Sequence, residues 1–180
     1  MKITDIIILI SGFIILFIGI FIKYNNFLNI NSIITEHLSE LWKNKIQFVS
    51  IFFAPILISY SLAVNRTIDE SLLSSLNVIL SILTAMFFSI LGVLCTIKEK
   101  TQDNEYKILI EQTFNSTVFE ILLCLLLLLI SFTVLFVNIF ERNIFIVVSS
   151  GIIYYLTIIM IVNILMIIKR MKILFEFEKR

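Results

Sequence analysis

Few side chains in this sequence could do chemistry, and their spacing argues against catalysis. There is a single histidine, His37, and neither Cys95 nor Cys124 has a histidine or a second cysteine at ligand spacing. A zinc or disulfide site therefore lacks its parts, and both thiols are read as packing residues. The aspartates are Asp5, Asp69 and Asp103, none deep in an apolar run, which removes two-aspartate metal sites and intramembrane acid chemistry. The chain also lacks the phosphate loop G-x-x-x-x-G-K-[ST], the zinc helix H-E-x-x-H and the nucleophile turn G-x-S-x-G. We expect no enzyme: no catalytic, cofactor-binding or metal-ligating residue. Glu120 stands apart because it borders a long apolar run, where an ionisable group is a candidate proton or cation site. It also closes Thr117-Val118-Phe119-Glu120, the pattern of a capping box, in which hydroxyl and carboxylate satisfy free amides at a helix start. The sequence favours that capping role, at headgroup depth.

The elements that must position these residues are built for lipid. Hydrophobic residues make up 59% of the chain, against roughly 45 to 50% in soluble domains. Uncharged runs near the roughly 20 residues that cross a bilayer as a helix predict an all-α, polytopic membrane bundle. Five transmembrane helices are expected, at about 6–22, 47–64, 71–97, 118–140 and 144–168. The number becomes four if 6–22 is re-entrant or lies on the surface. No cleavage-site pair of small residues follows 6–22, so it is read as a retained span and not a signal peptide. The connections leave no room for a separate folded unit, so 1–180 is one domain.

Basic residues lie on alternate connections. Lys2, Arg66 and Arg142 fall on one side and the other eleven of the fourteen Lys and Arg on the opposite side. By the positive-inside rule the N-terminus is outside and the C-terminus cytoplasmic. Composition rich in Ile, Asn, Lys and Phe and poor in Ala, Gly, Pro and Arg points to an AT-rich bacterial gene, hence an inner membrane. A net charge of +1 gives no reason to expect nucleic acid as a partner. Lys169, Arg170 and Lys172 are expected to anchor the last helix in lipid headgroups.

Punctuation refines the pattern. Thr67-Ile68-Asp69-Glu70 reads as a second capping box, Asn143 as the cap of the last span, and Lys98 to Ser116 as a solvated cytoplasmic loop with a helical lead-in around Ile108 to Phe114. Pro55 lies inside the second span and should kink it. Residues 30–43 form a short amphipathic cytoplasmic helix, whose face of Ile33, Leu38, Leu41 and Trp42 would lie on the membrane or dock a partner. In the third span Ser74, Asn77, Ser81 and Thr84 recur at three-and-four spacing, continued by Phe88, Gly92 and Cys95. Such a stripe is a helix-packing seam or the wall of a pore formed between subunits. Tyr154 and Asn163 add polar groups to the last span, and a residue of the third span is the expected partner for the tyrosine hydroxyl.

An apolar helix with a central Phe53-Ala54-Pro55, the stretch Ile68-Asp69-Glu70-Ser71-Leu72-Leu73, and the closing Asn163-Ile164-Leu165-Met166-Ile167-Ile168-Lys169-Arg170 form a recognisable order of parts. From about Phe48 onward it resembles small multi-span membrane proteins of bacterial anti-phage defence systems, of the Kiwa membrane-subunit type. The resemblance implies an oligomeric inner-membrane sensor or pore-like effector that works with a cytosolic partner. Members of that type have four spans, one fewer than expected here. The alternatives are a scaffold subunit that recruits a soluble enzyme, or a small solute transporter centred on Glu120.

Overall fold

The structure is a computed structural model that describes residues 45–100, 103–137 and 144–178, and before them only Ser11, Gly12, Ile34, Thr35, Leu38, Ser39 and Trp42. The expected first span at 6–22 and the amphipathic helix at 30–43 therefore lie outside the described residues, apart from those isolated positions. So do Asn143 and the turn before it. The described residues form four long helices: α1 (Lys45–Asn65), α2 (Glu70–Lys100), α3 (Asn104–Val137) and α4 (Ile144–Glu178). All four are long and apolar enough to cross a membrane, and together they make an all-α, multi-pass membrane bundle.

Buried positions show why these segments pair. On α3 the inward residues are Tyr106, Ile110, Thr113, Thr117, Glu120, Cys124, Leu127, Ser131 and Val134, an unbroken four-three alternation. On α2 the buried Leu73, Asn77, Leu80, Phe87 and Leu94 keep the same period, with half-buried Thr84 and Leu91 between them. This is heptad spacing, which keeps one seam facing a neighbour along the whole length of a helix. Accordingly α2 packs on α3, α3 on α4, and α4 on α1. Ala63 of α1 faces Gly151 of α4, where an added methyl would lie 3.6 Å from the alanine Cβ.

The short connection between α1 and α2 is pinned to α4. The Ile68 amide donates to Ser150 Oγ at 3.0 Å, and the Tyr154 hydroxyl donates to the Arg66 carbonyl at 3.1 Å. The tyrosine thus finds its partner in a backbone carbonyl of this connection, which corrects the expectation of a partner on the third span. Both bonds satisfy groups that leaving a helix sets free.

Helix starts differ from the expected capping boxes. Asp69, not Thr67, caps α2: its carboxylate accepts from the Leu72 amide at 2.7 Å and from Ser71 Oγ at 3.2 Å. Asp103 does the same for α3, accepting from the Glu105 amide at 2.9 Å. Since α3 begins at Asn104, Thr117 to Glu120 lies inside a helix, and the capping role expected for Glu120 is overturned. Thr117 Oγ1 instead donates to the Thr113 carbonyl one turn back. From Asn104 onward the stretch read as a solvated loop is helical: no Gly or Pro interrupts 104–117, and its apolar side continues the α3 seam. With 34 and 35 residues, α3 and α4 each run about 50 Å, well beyond a hydrocarbon core of roughly 30 Å.

Candidate functional site: a buried acid between two helices

The α3–α4 seam carries polar groups at regular levels. At the end nearer Lys98, the Tyr106 hydroxyl donates to the Leu174 carbonyl at 3.1 Å, within a small apolar cluster of Leu94, Tyr106, Ile110 and Leu174. One level further in, Arg170 turns inward: its Nη1 donates to the Gln112 carbonyl at 2.9 Å and to Ser116 Oγ at 2.6 Å. Past the acid, Cys124 Sγ lies 3.6 Å from Met160 Sδ. These pairs fix an antiparallel register that sets Glu120 of α3 level with Asn163 of α4.

Glu120 has 0% of its surface exposed and Asn163 2%. The Asn163 amide is the side chain that acts on the Glu120 carboxyl. Their approach falls short of a hydrogen bond, however, and Glu120 Oε1, Glu120 Oε2 and Asn163 Oδ1 are all buried without a hydrogen-bond partner. Three buried acceptor oxygens thus share one level of an apolar seam, and none of them receives a hydrogen bond among the described residues. Buried polar groups ordinarily find partners, and an ionised carboxylate out of water without a counter-charge is among the most costly groups to bury. Arg170 does not supply that charge, because its guanidinium is engaged about one helical turn away, at Ser116. No group of three or more His, Cys, Asp or Glu that could hold a metal ion occurs among the described residues.

Compared with protein-family models, with curated proteins and with solved structures, the chain matches none. The site must be read from its own chemistry.

The residues singled out in the sequence are divided by the fold. Of the third-span stripe, Asn77 is buried against α3 and Thr84 is half-buried, whereas Ser74, Ser81, Phe88, Gly92 and Cys95 face outward. Ser81 Oγ donates to the Asn77 carbonyl and Thr84 Oγ1 to the Leu80 carbonyl, so both hydroxyls are satisfied within their own helix. Asn77 Oδ1 is buried without a partner, and so is Ser131 Oγ of α3. The register set by the 2.8 Å ion pair of Lys98 with Glu111 places Asn77 and Ser131 level. Asn163 and Tyr154 both lie on α4 but are not brought together: Tyr154 serves the connection and Asn163 the acid.

Among the basic residues expected at headgroups, Lys169 and Lys172 are exposed and Lys172 stands 3.7 Å from Glu176, while Arg170 binds α3 as described. Trp42 is exposed and meets Phe48 edge-on at a centroid distance of 4.7 Å. Leu38 is half-buried, and Ile33 and Leu41 lie outside the described residues. Pro55 takes a buried position inside α1. At the opposite end from Lys98, Asp69 has its carboxyl held below the ordinary value, chiefly by the Leu72 amide and then, against slight desolvation, by Ser71 and the charge of Arg66.

Sequence reasoning noticed Glu120 and Asn163 separately and missed their pairing. The signal was present in the four-three spacing from Tyr106 to Val134, which runs through Glu120 without a break and is incompatible with a helix start there.

Proposed function

We propose that the chain is an oligomeric inner-membrane component of a bacterial anti-phage defence system, acting as a membrane sensor or pore-like effector with a cytosolic partner. In this reading the Lys98 end of the bundle and the C-terminus are cytoplasmic, as the distribution of basic residues favours. The defence role rests on the resemblance of the chain from Phe48 onward.

The observation that carries the oligomer is the outward face of α2. Ser81, Ala85 and Ser89 recur every four residues, followed by Gly92 and Thr96, and all five are exposed. Their hydroxyls turn back onto their own helix, as in Ser89 to the Ala85 carbonyl and Thr96 to the Gly92 carbonyl. A Cβ at Gly92 would meet nothing within 4 Å, so no packing among the described residues requires a glycine that weakens a helix by about 1 kcal/mol relative to alanine. Helices in lipid associate through such small-residue faces, because backbones approach closely there. A second copy of α2 is the natural occupant.

The test is native mass after extraction in mild detergent with lipid retained. Wild type is expected to contain several subunits, and Ser89→Leu combined with Gly92→Leu to be monomeric, still inserted, and unable to protect cells in a phage-plating assay. A monomeric wild type, or full protection by the variant, overturns the reading.

The long helices favour one alternative. Because α2, α3 and α4 extend together past the bilayer, braced by Tyr106 on Leu174, they offer a rigid platform on which a scaffold subunit could hold a soluble enzyme. In that case charging Leu38 and Leu41 should abolish activity while the α2 double variant leaves it intact.

A further inference from the structure

The buried seam between α3 and α4 has a use that does not depend on that reading. We propose that Glu120 and Asn163 form a proton-binding site, in which Glu120 is held as the neutral acid and pairs reciprocally with the Asn163 amide.

The argument is one of donors and acceptors. Glu120 Oε1, Glu120 Oε2 and Asn163 Oδ1 are unpartnered, fully buried acceptors at one level of the seam. A carboxylate cannot satisfy them, because it brings acceptors only. One proton changes the balance. The acid O–H donates to Asn163 Oδ1, the amide Nδ2 donates to the remaining carboxyl oxygen, and all three oxygens are satisfied. The amide can present either atom, since its oxygen and nitrogen exchange on a flip.

The groups around the carboxyl offer no competing counter-charge among the described residues. On α3 the thiol of Cys124 lies one turn along, with its Sγ 3.6 Å from Met160 Sδ of α4. From α4 come Asn163 and, one level away, Arg170, which is held by Gln112 and Ser116. α1 packs on α4. A divalent cation is disfavoured because Ca²⁺ and Mg²⁺ take six or more oxygens, whereas a single carboxyl and one amide provide three.

Such a site gives the bundle a proton-dependent state. Release of the proton would leave a charge in the apolar seam, which the chain can relieve only by parting α3 from α4 or by drawing Arg170 across one turn.

Infrared spectroscopy of the full chain in lipid nanodiscs tests this. At neutral pH, wild type should show the C=O stretch of a protonated carboxylic acid. That band should be absent in Glu120→Gln, whose amide reproduces the reciprocal pairing and should preserve the fold, and should move to higher frequency in Asn163→Leu. Should Asn163→Leu fail to fold, the comparison with Glu120→Gln suffices. A wild-type spectrum at neutral pH with no acid band overturns the proposal, and a carboxylate band that then responds to Na⁺ or K⁺ would assign the site to a metal cation instead.

Discussion

Two buried polar levels on α3 look alike in sequence and differ in chemistry. Toward the connection pinned by Tyr154, Asn77 of α2 and Ser131 of α3 each bury an oxygen without a partner. Toward the Lys98 end, Glu120 of α3 and Asn163 of α4 bury three. The first pair contains its own remedy, because a hydroxyl and a carboxamide can each donate and accept, so that a hydrogen bond between them would satisfy both. The second has no remedy without a proton or a cation. The same buried seam of α3 carries a neutral hydroxyl at Ser131 and an ionisable carboxyl at Glu120, and that exchange of side chain is the whole difference between the two levels. Polar residues within spans are therefore sorted by donor count before they are sorted by depth.

The sharpest way to break this comparison is to remove one partner at each level. Asn163→Leu leaves the Glu120 acid buried with no acceptor, and the expected loss of stability is about 1–3 kcal/mol, the penalty for an orphaned buried polar group. Replacing both residues by leucine should restore much of that loss, since no orphan remains. Unfolding in bicelles by a titrated denaturing detergent measures both, and a double variant no more stable than Asn163→Leu would refute the pairing.

At the other level the expected effect is smaller. Asn77→Leu, Ser131→Ala and their combination form a double-mutant cycle, for which a coupling of about 0.5–1.5 kcal/mol is expected from a neutral interhelical hydrogen bond. A coupling near zero would show that the two oxygens do not meet, and the contrast with Glu120 would then lie in neighbouring packing and not in donor balance.

How much of this was legible beforehand follows from what each signal measures. Hydropathy read the four described helices correctly as apolar segments, because length and composition are sufficient for a span. It misplaced the start of α3 by more than a dozen residues, since charged residues such as Lys107 and Glu111 dilute hydropathy while leaving helix propensity intact. The period of the buried positions, continuous from Tyr106 through Glu120 to Val134, carried the missing information. Other features were not readable from one chain. Arg170 lies in a cluster with Lys169 and Lys172, and only the register of α4 on α3 turns it inward to Ser116 while its neighbours stay exposed. The polar stripe of the third span was real as a spacing, but the fold divides it between the α3 seam at Asn77 and the outward face at Ser81 and Gly92. That division follows from where α3 lies, which no local pattern on α2 encodes.

The smallest expected effect concerns a carboxylate at the surface, and it sharpens the contrast with the buried one. Asp69 caps α2 through the Leu72 amide, and that bond favours the charged form, so its carboxyl sits below its ordinary value of 3.8. A lowered value means that the folded state binds this proton less readily than the unfolded chain. Its contribution to stability is present above the unfolded value and disappears as pH falls through the folded one. Asp69→Ala should therefore lower the melting temperature slightly at neutral pH, the difference from wild type should shrink in acid below about pH 4, and Asp69→Ser should keep most of the cap. On the proton-site reading, Glu120→Gln, which keeps the reciprocal pairing without a titratable group, should gain on wild type as the medium becomes alkaline. Melting curves of wild type, Asp69→Ala and Glu120→Gln across pH would separate the two carboxyls, since a cap and a proton site cannot give the same slope.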